Sequence, residues 1–194
     1  MIFDGHGDVW TDVTCRAVDH GERDIFRKHH LHKFQEGGVT GGIFVIWIDP
    51  PYDSDPVKRS KQIVKSIKQE MEDSADILNF VKKYDDFEKG TKEGKLNIVT
   101  GMEGLSQIGE DIDMINYFYD EGVRHAMLTW NELNALATGW PVDVTRGLTE
   151  AGKKAVKRIQ DLGMVMDVSH LNDKCFWGVI DLAQGPIIAS HSNA

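Results

Sequence analysis

The sequence predicts an α/β fold of the (β/α)8 TIM-barrel type, with about six of the eight strands present in this chain. The first observation is that six short apolar runs, several of them rich in Val and Ile, alternate with amphipathic helical segments. The second is that these runs lack clean polar alternation, which is typical of strands buried on both faces of a parallel sheet. A doubly wound sheet shares both features, and the polar residues that follow the strands favour the barrel.

Each apolar run is predicted as a strand because it is short and ends in glycine or polar residues. The six predicted strands are Met1–Phe3, Gly42–Ile48, Leu96–Thr100, Val123–Thr129, Met164–Val168 and Pro186–Ala189. Between the first two of them, residues 11–38 are polar and irregular, and they are predicted as a long loop with some helix.

Four helices are predicted from apolar residues that recur at helical spacing. The predicted helices run from Pro56 to Val81, from Asp111 to Asp120, from Thr149 to Gly163, and from Asn172 or Asp173 to Ile180. Proline suits the first turn of a helix, as at Pro56. Glycine is common just past the end of one, as at Gly163.

Composition and charge are those of an ordinary globular protein. The 194 residues are 41% hydrophobic and 27% charged, with 22 Lys+Arg against 31 Asp+Glu and a net charge of −9. These values exclude a disordered tail and a coiled-coil rod, and without a basic excess they exclude a nucleic-acid partner. No run of about 18 apolar residues is present, so the sequence predicts no membrane span and no membrane partner.

The cysteines and the first residues indicate the compartment. Cys15 and Cys175 lie far apart and match no metal or redox spacing, which predicts two free thiols in a reducing environment. Met1 to Asp4 have neither the basic start nor the apolar segment of a signal peptide. We therefore expect a cytoplasmic protein.

The length predicts that the barrel continues beyond this sequence. Six strand–helix units in 194 residues take roughly 30 residues each, and eight such units make the roughly 250 residues of a typical complete barrel. We expect residues 1–194 to be a single barrel domain, C-terminally incomplete, within a longer protein.

Histidine and acidic residues follow four of the six predicted strands at their carboxyl ends. They are His6 and Asp8 after the first strand, Glu103 after the third, His170 after the fifth and His191 after the sixth. In a parallel barrel these ends lie on one rim, where barrel enzymes place their active sites. Imidazole and carboxylate groups suit Zn²⁺, with Mn²⁺ or Co²⁺ as substitutes, and five of them hold two ions if Glu103 bridges. The sequence therefore predicts two divalent metal ions and favours zinc.

Other polar residues receive smaller roles. The candidates for orienting the imidazoles are Asp167, Ser169, Ser190 and Ser192. His125 lies inside a strand and is interpreted as a packed residue. The tract His29-His30-x-His32 has a metal-like spacing, but basic neighbours favour its interpretation as a solvated surface.

Four short motifs carry the predicted ligands: Asp4-Gly5-His6-x-Asp8, Gly101-x-Glu103-Gly104, Asp167-x-Ser169-His170 and Ser190-His191-Ser192-Asn193. In this order and spacing the motifs resemble those of the membrane (renal) dipeptidase family, which are zinc-dependent dipeptidases on a (β/α)8 barrel, related to the amidohydrolases. The resemblance implies one zinc ion on His6 and Asp8 and another on His170 and His191. It implies that Glu103 bridges both ions as the catalytic residue. It also implies a dipeptide substrate, hydrolysed by a hydroxide that bridges the metals, with a D-residue tolerated at the C-terminal position.

The sequence departs from the family in several places. Better-known members carry a substrate-contacting histidine where this chain has Trp130, so Trp130 and Asn131 are predicted to bind the substrate. The family's carboxylate-binding arginine and its late aspartate would fall beyond Ala194. The membrane anchor of the mammalian members is not carried over, and the expected assembly is a homodimer.

Three alternatives stay open at the level of sequence. Another amidohydrolase-type hydrolase would use the same metal rim on a cyclic amide, a lactone or a phosphoester. A truncated barrel would bind metal without activity. An acidic interaction module would account for the net charge but for none of the residues at the strand ends.

Overall fold

The computed structural model describes residues 1–192, whose contacts group into two compact units, Met1–Gly101 and a second that begins at Met102. The strands are β1 Ile2–Gly7, β2 Val39–Trp47, β3 Leu78–Phe80, β4 Leu96–Glu103, β5 Val123–Met127, β6 Val165–Asp167 and β7 Ile187–Ile188. The α-helices are α1 Val9–His20, α2 Leu31–Glu36, α3 Pro56–Asp73, α4 Tyr84–Lys92, α5 Met114–Asp120, α6 Glu150–Asp161 and α7 Asp173–Leu182. Strands and helices alternate along the chain, as the sequence predicts.

In the first unit, β1 pairs in parallel with β2, β2 lies beside β4, and β3 pairs in parallel with β4. β2 is buried along most of its length, as its unbroken apolar sequence predicts. The ring of Phe44 on β2 is 5.5 Å from the ring of Trp10 on α1 and 6.1 Å from that of Phe26, and all three side chains are fully buried. This aromatic core holds α1 in place directly after β1.

In the second unit, β5, β6 and β7 pair in parallel in that order. The register places Asp167 between Met127 and Ile188, so the carboxyl ends of the three strands lie side by side. β4 ends in the same unit, where the backbone N–H of Leu105 donates to the carbonyl of Leu128 at 3.2 Å. Residues that follow these four strands are therefore held close together.

Two helices of the second unit begin where the sequence predicts. The side chain of Thr149 accepts a hydrogen bond from the backbone N–H of Gly152 and caps α6, and Asn172 caps α7 in the same way through Cys175. Gly163, just beyond α6, has a φ of +70°, which glycine adopts without strain.

The helix predicted from Pro56 to Val81 is shorter than predicted, because α3 ends at Asp73. The residues that follow form β3, in which Leu78 pairs with Leu96 of β4 and is buried. Apolar spacing in this segment is compatible with a helix. Pairing with β4 satisfies the backbone groups equally well, and local spacing does not reveal it.

The segment predicted as a long loop, residues 11–38, is mostly helical. It contains most of α1, a π-helical turn at Phe26–His30 and α2. The turn is anchored from outside the segment, because the carboxylate of Glu70 on α3 accepts hydrogen bonds from the backbone N–H groups of Ile25 and Phe26 at 2.9 and 2.8 Å. A contact with a distant helix leaves no signal in the segment itself. The helix α4 was not predicted either.

Both cysteines are free, as predicted, with Cys15 partly exposed and Cys175 buried. Burial raises the pKa of both thiols, which favours their neutral form. Within residues 1–192, no helix combines the length and the apolar character that crossing a membrane requires.

Candidate metal centre

The first predicted pair of ligands, His6 and Asp8, lies where β1 passes into α1. β1 continues to Gly7, so His6 is inside the strand and Asp8 is the residue before the first turn of α1. Nε2 of His6 and Oδ1 of Asp8 are 3.9 Å apart. Residues two apart share one face of an extended strand, but Asp8 has left the extended conformation, with φ −83° and ψ 24°. The turn into α1 therefore brings the two side chains together.

Three further predicted ligands form a cluster in the second unit, named here the Glu103 cluster: Glu103, His170 and His191. Nε2 of His170 is 2.9 Å from Oε1 of Glu103 and 2.7 Å from Nε2 of His191. Nε2 of His191 is 3.6 Å from the same carboxylate oxygen. Glu103 is buried, whereas the two histidines keep 16% and 33% of their side-chain surface exposed. The carboxyl ends of β4, β6 and β7 thus bring one carboxylate and two imidazoles to a single point.

Both histidines of the Glu103 cluster have a partner at their other ring nitrogen. Nδ1 of His170 is 2.9 Å from Oδ1 of Asn131, and Nδ1 of His191 is 2.9 Å from Oγ of Ser190. Because an amide oxygen only accepts, Nδ1 of His170 donates and its Nε2 keeps the lone pair. The contact of Ser190 agrees with the prediction that it orients an imidazole. The contact of Asn131 was not anticipated.

The donor set of the Glu103 cluster fits a divalent metal ion. Two imidazole nitrogens and a carboxylate oxygen converge within 3.6 Å of one another. Ligand atoms around a tetrahedral ion, with bonds of about 2.0–2.2 Å, are separated by about 3.4 Å. The 3.6 Å between His191 and Glu103 matches this value, and the other two separations, 2.7 and 2.9 Å, are shorter. Nitrogen and oxygen donors of this kind suit Zn²⁺ and related divalent ions.

His170 has a backbone conformation that few residues other than glycine adopt, with φ at +68°. Such a conformation costs about 1–3 kcal/mol and persists only where surrounding contacts hold it. Here the carbonyl of His170 accepts a hydrogen bond from the backbone N–H of Trp140 at 2.7 Å, and its ring contacts Asn131. Backbone and ring are therefore held by separate contacts.

Asp167, the last residue of β6, forms a buried pair with His125 of β5. Oδ2 of Asp167 is 2.8 Å from Nε2 of His125, and both side chains are fully buried. Burial by itself would raise the pKa of Asp167, but hydrogen bonds from His125 and Ser190 outweigh it and hold this pKa far below its ordinary value. Asp167 was predicted to orient a metal-binding imidazole, and the ring that it contacts is that of His125. The two partners lie 42 residues apart, so no local pattern indicates the pair.

The loop after β5 carries the predicted substrate-binding residues, Trp130 and Asn131. The Trp130 side chain is 36% exposed, and its ring centroid is 6.5 Å from that of His170. Glu132 holds this loop, since its carboxylate accepts hydrogen bonds from the backbone N–H of Trp130 and from the amide of Asn134, both at 2.9 Å. Burial raises the pKa of Glu132, although these hydrogen bonds oppose it. This role of Glu132 is not predicted from the sequence.

The histidine tract at residues 29–32 contributes to ion pairs. Nε2 of His29 is 2.7 Å from Glu22, and Nε2 of His30 is 2.8 Å from Asp12. Arg16 binds both carboxylates, at 2.8 Å from Asp12 and 3.5 Å from Glu22. A cation in this position disfavours a metal ion. His29 and His30 keep only 32% and 15% of their side-chain surface exposed, so they belong to a half-buried, ion-paired segment and not to the solvated surface that the sequence predicts.

The chain is similar to known proteins in sequence. A family model described as membrane dipeptidase (peptidase family M19) matches residues 1–194. The uncharacterized protein of the PQQ-III 3′ region of Acinetobacter calcoaceticus is 31% identical over 100% of this chain, which spans 70% of that protein. The dipeptidase tcpJ of Claviceps purpurea is 29% identical over 98% of this chain, which spans 49% of that protein.

The chain is also similar to known proteins in fold. One similar structure is that of a metallo peptidase from Rhodobacter sphaeroides, liganded with a phosphinate mimic of the dipeptide L-Ala-D-Ala. The TM-score is 0.87 over 99% of this chain at 22% identity, and the chain spans 65% of the length of that protein. This similarity confirms the predicted α/β fold class, a partial (β/α)8 barrel. All six predicted strands are present, and β3 is the one that the sequence analysis missed.

Proposed function

Because the chain belongs to the membrane dipeptidase family, peptidase family M19, we propose that it is a metal-dependent dipeptidase that hydrolyses the single peptide bond of a dipeptide. The observation that carries the proposal is the Glu103 cluster, in which a buried carboxylate and two imidazoles converge. The dipeptide mimic on the Rhodobacter sphaeroides peptidase supports a dipeptide with a D-residue at its C-terminal position as a substrate.

The proposed metal is zinc, in a pair of ions. His170 and His191 would hold one ion, His6 and Asp8 the other, and Glu103 would bridge the two. The nitrogen and oxygen donors support this choice, as do the 2.7 Å between the two cluster imidazoles and the 3.9 Å between His6 and Asp8.

When bound, the metal pair supplies polarisation of the scissile carbonyl and a lowered pKa for the attacking water. The chain's own residues hold and orient the site. Asn131 accepts a hydrogen bond from Nδ1 of His170, so this ring presents its Nε2 lone pair, and Oγ of Ser190 contacts Nδ1 of His191. Only 5% of the Glu103 side chain is exposed. Its carboxylate therefore interacts with a cation more strongly than it would at the surface.

Trp130 and Asn131 are proposed to line the substrate site. The Trp130 ring is exposed and lies close to the His170 ring, so it offers apolar area to a side chain of the dipeptide. Asn131 contacts the His170 ring and is next to Trp130 in the chain, and this supports the proposal that both residues lie beside a substrate bound at this histidine.

The test is metal analysis of the purified protein together with hydrolysis of L-Ala-D-Ala and L-Ala-L-Ala. We expect two zinc ions per chain, loss of activity on chelation, and recovery with Zn²⁺ or Co²⁺. Glu103→Gln should lower kcat/KM by more than about a hundredfold, because losing a ligand costs more than the 10–100-fold typical of losing a group that orients one. Glu110→Gln, at an exposed carboxylate of the same unit, should leave activity unchanged.

The same assay separates the proposal from other hydrolases. Lactones, hydantoins and phosphoesters are offered alongside the dipeptides under identical metal conditions. Faster turnover of one of these classes than of any dipeptide would reject the dipeptidase assignment while keeping the metal centre. Near-normal dipeptide turnover by Glu103→Gln would reject the centre itself.

A further inference from the structure

The carboxylate of Asp167, which is paired with buried His125, accepts hydrogen bonds from the backbone next to both histidines of the Glu103 cluster. Oδ1 of Asp167 accepts a hydrogen bond from the backbone N–H of Ser169 at 2.8 Å and another from the backbone N–H of Ser190 at 3.4 Å. Ser169 immediately precedes His170, and Ser190 immediately precedes His191. A single carboxylate oxygen therefore holds two loops, each at the residue before a predicted metal ligand.

A further contact joins the two loops directly. Oγ of Ser169 accepts a hydrogen bond from the backbone N–H of His191 at 3.4 Å. The strands beneath are also paired, since Asp167 lies opposite Ile188 in the register of β6 and β7. The separation of the two histidine rings, 2.7 Å between their Nε2 atoms, thus depends on where the carboxylate of Asp167 lies.

His125 sets the position of that carboxylate. Its Nε2 is 2.8 Å from Oδ2 of Asp167, while its Nδ1 has no hydrogen-bond partner within residues 1–192. A buried N–H without an acceptor costs more than a buried lone pair without a donor. The favoured neutral tautomer therefore carries its proton on Nε2 and donates it to Asp167. This leaves Oδ1 of the carboxylate for the two loops.

We propose that His125 and Asp167 are positioning residues that set the spacing of the metal ligands His170 and His191. Asp167 acts through the backbone of both histidine loops, and His125 acts through Asp167. The inference rests on the proposed metal centre and deepens it, because it identifies the residues that determine the metal geometry without touching the metal or the substrate.

The test is titration of the metal-free protein with CoCl2, followed by the visible absorption of bound Co²⁺, which reports ligand geometry. Asp167→Asn should raise the dissociation constant for Co²⁺ by about 10–100-fold and change the absorption spectrum, as expected for groups that orient ligands. His125→Leu should do the same to a smaller extent. His125→Gln retains an N–H that reaches Asp167, and it should restore both the affinity and the spectrum of the wild type.

The matched control is Glu70→Gln. Glu70 is also a buried carboxylate that accepts two backbone N–H groups, those of Ile25 and Phe26, but it belongs to the first unit and contacts neither histidine loop. Its substitution should lower thermal stability as Asp167→Asn does, and the Co²⁺ spectrum should stay that of the wild type. If Asp167→Asn does not fold, the pair His125→Leu and His125→Gln supplies the comparison.

Two results would overturn the inference. One is a wild-type Co²⁺ affinity and spectrum in both Asp167→Asn and His125→Leu. The other is equal damage in His125→Leu and His125→Gln, which would mean that packing rather than the hydrogen bond matters. Failure of the proposed function looks different. In that case the wild type binds Co²⁺ and the variants weaken it as expected, but no form hydrolyses dipeptides.

Discussion

Asn131 and His170 are joined by a contact of 2.9 Å between Oδ1 of the amide and Nδ1 of the imidazole. The two residues lie 39 positions apart, on the loop after β5 and on the loop after β6. His170 also has a positive φ, so its ring is held by a partner while its backbone is held in a strained conformation. Nε2 of His170, the atom that contacts Glu103, is thus oriented by contacts outside its own motif.

Replacing Asn131 tests this contact. Asn131→Ala removes the acceptor for Nδ1, and we expect the metal affinity and kcat/KM to fall by about 10–100-fold. Asn131→Asp keeps an acceptor at the same distance and should retain most of the metal affinity. Equilibrium dialysis with Zn²⁺ measures the first quantity and dipeptide kinetics the second. Equal loss in the two variants would contradict an orienting role for the hydrogen bond.

Replacing Trp130 tests the substrate site. Trp130→Ala should raise KM for dipeptides with apolar side chains by about tenfold, corresponding to about 1.4 kcal/mol of lost binding, and should change kcat less. Its effect on metal content should be negligible, because the contact with Glu132 uses the Trp130 backbone. Trp177→Ala, at an exposed tryptophan on α7, is the control and should leave KM unchanged. An unchanged KM in Trp130→Ala would place the substrate elsewhere.

The pKa of Asp167 predicts a pH dependence of stability. It is lower in the folded protein than the roughly 3.9 of an unfolded chain, so ionised Asp167 stabilises the fold above that value. This contribution is lost as the pH falls below about 4, by at most about 1.4 kcal/mol per pH unit. Urea unfolding between pH 7 and pH 3 should show a difference between wild type and Asp167→Asn that is constant above about pH 5 and shrinks below pH 4. A difference that stays constant to pH 3 would show that the charge of Asp167 does not contribute.

Glu70 predicts a stability effect separate from the metal centre. Its buried carboxylate accepts hydrogen bonds from Ile25, Phe26 and Ser74, so Glu70→Ala leaves buried donors without a partner. The free energy of unfolding should fall by about 2–4 kcal/mol. Glu72→Ala, at an exposed carboxylate on the same helix, should change it by less than about 0.5 kcal/mol. Chemical denaturation of the two variants measures both values, and similar small losses would reject the anchoring role of Glu70.

Much of the fold could be predicted because strands that are buried have mostly apolar sequences. β2 and β4 are buried along most of their length, and β2 is apolar from Gly42 onward. The caps at Thr149 and Asn172 place α6 and α7. The prediction fails for β3 and for residues 11–38. The backbone of β3 pairs with β4, and within residues 11–38 the backbone N–H of Ile25 donates a hydrogen bond to Glu70. Those partners are distant in the chain, and local spacing carries no information about them.

The sequence by itself determined the fold class, the existence of six of the strands and the chemical types of the candidate ligands, because strand burial and residue identity are local properties. Only the tertiary structure decided which residues meet. Glu103 and His170 converge from positions 67 residues apart, Asn131 contacts His170 from the loop after β5, and His125 of β5 contacts Asp167 of β6. The physical reason is that such contacts depend on the register between neighbouring strands. That register is set by packing across each unit, whereas sequence patterns report only on the element that contains them.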